Sequence, residues 1–232
     1  KSGKTPEKPE GPATWAPATG ISALVNQGEA VSPELQIQKF GPDAGGLHWL
    51  IIYGLKGMAA YADHALILGK QDEGVYAFFH KALKRLAEEP MTADDLLGLA
   101  LECGEVNLKI MGLLDAANTE AYGNPVPTKV RVTPVKWHAI LVSGHDLLDL
   151  EELLKQTEGK GINIYTHGEM LPAHGYPGLK KYPHFAANFG GAWQDQRDEF
   201  EQFPGAILMT TNCIQKPKES YIGRIFTCGL VA

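Results

Sequence analysis

The chain has 232 residues, 44% of them hydrophobic and 21% charged, which suits a soluble globular protein of one large domain or two smaller ones. A net charge of −6 without a basic block argues against a nucleic-acid partner or an anionic membrane surface, and no apolar run reaches the roughly 20 residues that span a bilayer. Three scattered cysteines, Cys103, Cys213 and Cys228, argue against a disulfide scaffold and for a reducing, cytoplasmic setting; they also exclude a self-contained site with four cysteine ligands.

The first residues, "KSGKTPEKPEGP", are basic and proline-rich with no apolar segment behind them, so they read as linker rather than signal peptide. Residues 1–45 are expected to form a linker and irregular lead-in. Helical period then takes over: Leu47, Leu50, Ile51, Leu55, Met58, Ala62 and Leu66 recur at three- and four-residue steps, and Gly69 closes the helix. Its apolar stretch is interrupted by His48, Lys56, Asp63 and His64, which fits a buried helix and not a membrane span. A second helix is expected from Asp72 to about Glu88, with Val75, Phe78, Phe79, Leu83 and Leu86 on one side. A third starts at Thr92, which with Asp95 forms a capping signature, and stops at Gly123-Asn124-Pro125. Short connections between the three predict a helical bundle over residues 46–128.

The pattern changes near residue 129. "AILVS" reads as a strand, "DLLDLEELLKQTEGK" as a helix capped by Asp146, and "INIY", "AILMTTN" and "RIFTCGLVA" as further strands. Short apolar runs separated by helix or long loop predict a parallel sheet buried on both faces. The expected fold is therefore α + α/β, a helical bundle half followed by a Rossmann-like parallel α/β half over residues 129–232.

Ligands of open α/β sheets bind outside the carboxyl ends of the strands. There the first strand is followed by Gly144-His145-Asp146, the next by Thr166-His167-Gly168-Glu169, and the third by Cys213. Parallel strands would bring an imidazole, a carboxylate and a thiolate to one edge. Each residue also has an ordinary reading. Asp146 is a helix cap, His145 a hydrogen-bonding loop residue, Glu169 a solvated carboxylate and Cys213 a small buried hydrophobe. Read together as ligands, they could hold zinc with an open position for water, which would make a hydrolase, or iron, which accepts all three donor types. Neither a glycine-rich phosphate loop nor a G-x-S-x-G elbow is present, so nucleotide binding and serine hydrolysis are disfavoured.

The run "LVSGHDLLDLEELLKQTEGKGINIYTHGEMLPAHGYPGLKKYPHFAANFGGAWQDQ", with "FPGAILMTTNC" and, upstream, "LLDAANTEAYGNP", resembles the hybrid cluster protein (prismane, or hydroxylamine reductase) family, from about "GPATW" to the end. The resemblance implies a hybrid iron–sulfur–oxygen cluster of the [4Fe-2O-2S] type. His145 of the GHD motif, Glu169 of HGEM and Cys213 after TTN would be three of its seven ligands, and Glu169 would also act in catalysis. His167, His174 and Asn212 would orient ligands or relay protons. The remaining ligands would belong to a C-terminal domain, and a second, conventional 4Fe-4S cluster to an N-terminal cysteine-rich segment, so this chain would be an internal portion unable to assemble the cluster alone. Cys103 and Cys228 match no family ligand and are expected to be structural thiols. The intact protein would reduce hydroxylamine to ammonia and water, or nitric oxide, with electrons from a donor protein. A zinc hydrolase using His145, Glu169 and Cys213, and a non-catalytic scaffold fragment, are the competing expectations.

Overall fold

The computed structural model describes residues 14–87 and 91–229. The first dozen residues read as linker, and Glu88 at the expected end of the second helix, lie outside the described residues. Two compact units divide the chain: one comprises the chain through Gly57 with Gly74–Asn107, the other Met58–Glu73 with Leu108 onward.

The first unit is helical. Helix α1 spans Ile21–Glu29 and α2 Pro33–Ile67, the latter contributing its residues through Gly57 to this unit. The lead-in expected to be irregular to residue 45 is thus helical from Ile21 onward, a correction to the sequence reading. Ile21, Leu24 and Val25 make one turn of apolar stripe, too short to stand out in a polar stretch, and none of α1 is buried. At Gly41 (φ 83°) α2 breaks, and Pro42 restarts it; a proline tolerates the first helical position because its missing N–H has no partner there. Helix α3 (Glu73–Ala87) buries Val75, Phe78 and Ala82, and α4 (Ala93–Tyr122) buries Leu96, Leu99 and Cys103 in this unit. The capping signature is realised: the Asp95 N–H donates to Thr92 Oγ1 at 3.1 Å and the Thr92 N–H to Asp95 Oδ2 at 3.1 Å.

The second unit opens with the end of α2. Gly69 takes φ 80°, its N–H reaching Leu66 O and that of Lys70 reaching Ala65 O, so glycine ends the helix in a left-handed cap as expected. A five-stranded sheet follows: β1 (His138–Ser143), β2 (Ile162–Thr166), β3 (Phe185–Asn188), β4 (Ala206–Met209) and β5 (Ile225–Thr227). Every pairing is parallel and the order is β3-β2-β1-β4-β5. The sequence order reverses direction between β1 and β4, which makes the carboxyl ends of those strands the switch point where such sheets open a crevice. Helix α5 (Leu147–Thr157) is capped by the Asp146 carboxylate, which accepts from the N–H groups of Leu148 and Asp149. Its Leu150 and Leu154 pack with Val142, Ile164 and Tyr182 on one face of the sheet. Leu141, Ile207 and Met209 pack with Phe200 of α7 (Gln196–Gln202) on the other. Helix α6 (Pro177–Lys180) and short 3-10 segments at Gly168–Gly175, Trp193–Asp195 and Ile222–Arg224 complete the unit. The sheet is covered on both faces, as its unbroken apolar strands predict. Among the described residues, no helix is long and apolar enough to cross a membrane.

Candidate metal centre

Three loops leave the carboxyl ends of β2, β1 and β4 side by side. The ladder continues a residue past the strands: His167 N–H donates to Val142 O and Thr210 N–H to Ser143 O, each at 2.9 Å. The loops therefore start in register. Gly144 turns the first one sharply at φ 108°. A Cβ there would stand 2.4 Å from Thr210 Oγ1 and 2.7 Å from the Thr211 nitrogen, so a side chain is excluded by both space and backbone conformation.

The turn delivers His145 to a cavity of about 420 Å³ also lined by Glu169, Cys213, His167 and Asn212. Five of the six residues singled out from the sequence thus share one cavity. Within it His145 Nε2 and Glu169 Oε2 are 2.6 Å apart. Imidazole nitrogen and carboxylate oxygen meet directly there, and Cys213 lines the same cavity. Among the described residues, no three His, Cys, Asp or Glu side chains are placed together so that they could hold a metal ion. Imidazole, carboxylate and thiolate are donor types that iron accepts together, so the residue types present are compatible with an iron–sulfur group.

His174 is placed elsewhere. Its ring is buried, stacks on Phe185 at 3.9 Å and pairs with Thr166 Oγ1 at 2.9 Å, while Thr166 donates to Asn188 Oδ1. Burial pushes this imidazole down to about 4, so it is neutral through the physiological range. His167, by contrast, is held between Ser143 Oγ at 3.2 Å and Glu199 Oε2 at 2.8 Å, with its ring edge-on to Phe200. The other two thiols lie outside the cavity lining. Burial raises Cys103, and burial followed by its contact with Asp149 pushes Cys228 up to about 12.

The supporting residues escaped the sequence. Thr211 Oγ1 accepts the His145 backbone N–H and lies 2.9 Å from His145 Nδ1, fixing that ring on the side away from Glu169. A ligating histidine characteristically has its second nitrogen tied in this way. Glu199 bonds His167 across 32 positions and Gln196 bonds the Cys213 carbonyl across 17. Both sit in the polar heptapeptide of α7, whose sequence carries no motif. Thr211 adjoined Asn212 and Cys213, so its position was the one available signal.

Comparison with known proteins agrees with this geometry. The Prismane/CO dehydrogenase family profile matches residues 14–232. The hydroxylamine reductase of Rhodospirillum rubrum is 59% identical over 228 residues, 98% of this chain and 42% of that protein. That of Syntrophobacter fumaroxidans is 60% identical over 223 residues (94% and 40%), and that of Methanocella arvoryzae 52% over 231 (100% and 42%). The chain therefore spans about two fifths of the length of these curated relatives. With its whole described length covered by the family match and relatives more than half identical, the chain belongs to the Prismane/CO dehydrogenase family.

Proposed function

We propose that this chain is the part of a hydroxylamine reductase that presents His145, Glu169 and Cys213 to a hybrid iron–sulfur–oxygen cluster, the remaining ligands coming from the rest of a longer protein. The observation that carries the reading is the 2.6 Å approach of His145 and Glu169 at the ends of neighbouring parallel strands, in a cavity that Cys213 also lines. When bound, the cluster supplies electrons and a Lewis-acidic iron with an open position. Hydroxylamine takes up two electrons and two protons, its N–O bond breaks, and ammonia and water leave. The electrons come from a donor protein. The substrate class follows the relatives, all named hydroxylamine reductase; nitric oxide is the competing substrate for the same site.

The chain's own residues bind and orient. Thr211 anchors His145 through its backbone and Nδ1, so that Nε2 points into the cavity. The Glu169 side chain is 72% exposed and begins a 3-10 segment, which makes it the ligand with room to swing aside when substrate enters. His167, fixed from both ring nitrogens, holds the loop that carries Glu169, and Asn212 orients Cys213 from the adjacent position.

Glu169→Ala in the longer protein tests the reading. It is expected to lower hydroxylamine reduction by more than about 100-fold, beyond what losing an outer-shell partner does, and to alter the iron–sulfur absorption. Near-normal turnover with unchanged iron and acid-labile sulfide would overturn it, as would a colourless protein with one zinc per chain.

A further inference from the structure

The cavity has a wall that supplies no candidate ligand. It is the start of α7, and its Gln196 side chain is only 2% exposed, so both ends of the amide must find partners inside the protein. Both do. Nε2 donates to the Cys213 carbonyl at 2.7 Å, and Oε1 accepts the Gln215 N–H at 2.8 Å. The Gln215 side chain returns the contact by donating to Trp193 O in the turn before the helix. One buried amide thus straddles the three residues centred on Ile214, immediately after the thiol. Three positions along the same helix face, Glu199 takes His167 Nε2 at 2.8 Å and the Gly191 N–H at 2.8 Å, closing the opposite side.

We infer that Gln196 is a positioning residue for Cys213: it sets the course of the loop after β4 so that the thiolate reaches its place in the cluster. This rests on the reading of Cys213 as a ligand. Thr211 ties the start of that loop to the turn after β1 through the His145 N–H. Thr211 Oγ1 donates to Asn212 O inside the loop itself, and Gln196 supplies the tie between the Cys213 carbonyl and another element. A buried side-chain amide that satisfies main-chain groups on two sides specifies one backbone path, since any other leaves a buried polar group unpaired.

Gln196→Met keeps the volume and removes both bonds. In the full-length protein, hydrogen exchange over residues 210–216 is expected to speed up on the order of 30-fold, about what two lost net hydrogen bonds do to an open population. Exchange across β1 should stay unchanged. The iron–sulfur spectrum should move in the same direction as that of Cys213→Ser, with a smaller loss of iron. Faster exchange with an unaltered spectrum, while Cys213→Ser alters it, would overturn the positioning role and leave Cys213 a ligand. A Cys213→Ser protein with unaltered spectrum and iron content would overturn the ligand assignment and this inference with it. Gln196→Glu retains the acceptor for Gln215 but loses the donor to Cys213, and it carries the same test should Gln196→Met not fold.

Discussion

The helical unit and the α/β unit place their polar side chains differently. In the helical unit, bonds such as that of Lys81 to the Glu102 carboxylate at 2.6 Å and that of Thr92 to Asp95 lie at the surface. The α/β unit has exposed pairs too, such as Lys155 with Glu152, but it adds bonds that run inward, through Ser143, His167 and Glu199, through Thr166, His174 and Asn188, and through Gln196 to the Cys213 loop. An exposed ion pair contributes little, whereas a buried group left without its partner costs about 1–3 kcal/mol. The helical unit therefore leans mainly on apolar contact and caps. The α/β unit adds buried polar chains, two of which, through His167 and through Gln196, border the candidate metal centre. A rigid polar frame beneath exposed donors is what a site needs when its ligands must be held at fixed separations.

Gly144→Ala should break the comparison most severely on the α/β side. The added Cβ meets Thr210 Oγ1 at 2.4 Å and the Thr211 nitrogen at 2.7 Å, at φ 108°. Strain and displacement together are expected to cost about 3 kcal/mol or more, since His145 and Thr211 both hang on that turn. Urea unfolding measures it, and a midpoint equal to that of the parent protein would show that the turn is not as tight as its distances imply.

The next largest effect is a pH dependence. Burial holds His174 down to about 4, against about 6.5 in an unfolded chain. Between those values the unfolded state binds the extra proton, so this group's contribution is present above about 6.5 and is lost as pH falls toward 4. His174→Gln can keep a bond to Thr166 while losing the titration. The stability gap between parent and variant should therefore be widest at pH 7 and shrink by about 1–2 kcal/mol by pH 4.5, after allowance for partial solvent screening. A gap constant across that range would mean the ring is not held neutral by the core.

What could be read from the residues follows the same division. Elements with a strong local rule were legible: the Thr92–Asp95 cap, Gly69 ending α2, Asp146 capping α5, and the apolar strands β1, β2 and β4. Strand β3 was not, because "FAAN" has four residues, no β-branched side chain and a register shift where it meets β2. Helix α7 was hidden for a similar reason, since Phe200 is the one apolar residue on its buried side beside Gln196. His145, Glu169 and Cys213 could be grouped because parallel strands send their ends to one edge. Gln196, Glu199 and Ser143 could not, since their partners are long-range and ordinary in composition. His174 shows the reverse error of proximity: it lies five positions from Glu169, yet its ring is packed on Phe185, away from the cavity lining.

The smallest effect belongs to the helical unit and should carry the opposite sign. Gly104 lies in the interior of α4, exposed, with open space where a Cβ would stand. Glycine there forgoes the helix propensity of alanine and adds freedom to the unfolded chain, each of which disfavours the fold. Gly104→Ala is therefore expected to stabilise by about 0.5–1 kcal/mol, seen as a raised urea midpoint with an unchanged slope. The same glycine-to-alanine change thus destabilises at Gly144 and stabilises at Gly104, because one position is defined by neighbours pressed against its backbone and the other by none. If Gly104→Ala instead destabilised the protein by as much as 1 kcal/mol, the helical unit would have to be as tightly specified around α4 as the sheet edge is around His145, and the contrast between the units would fail.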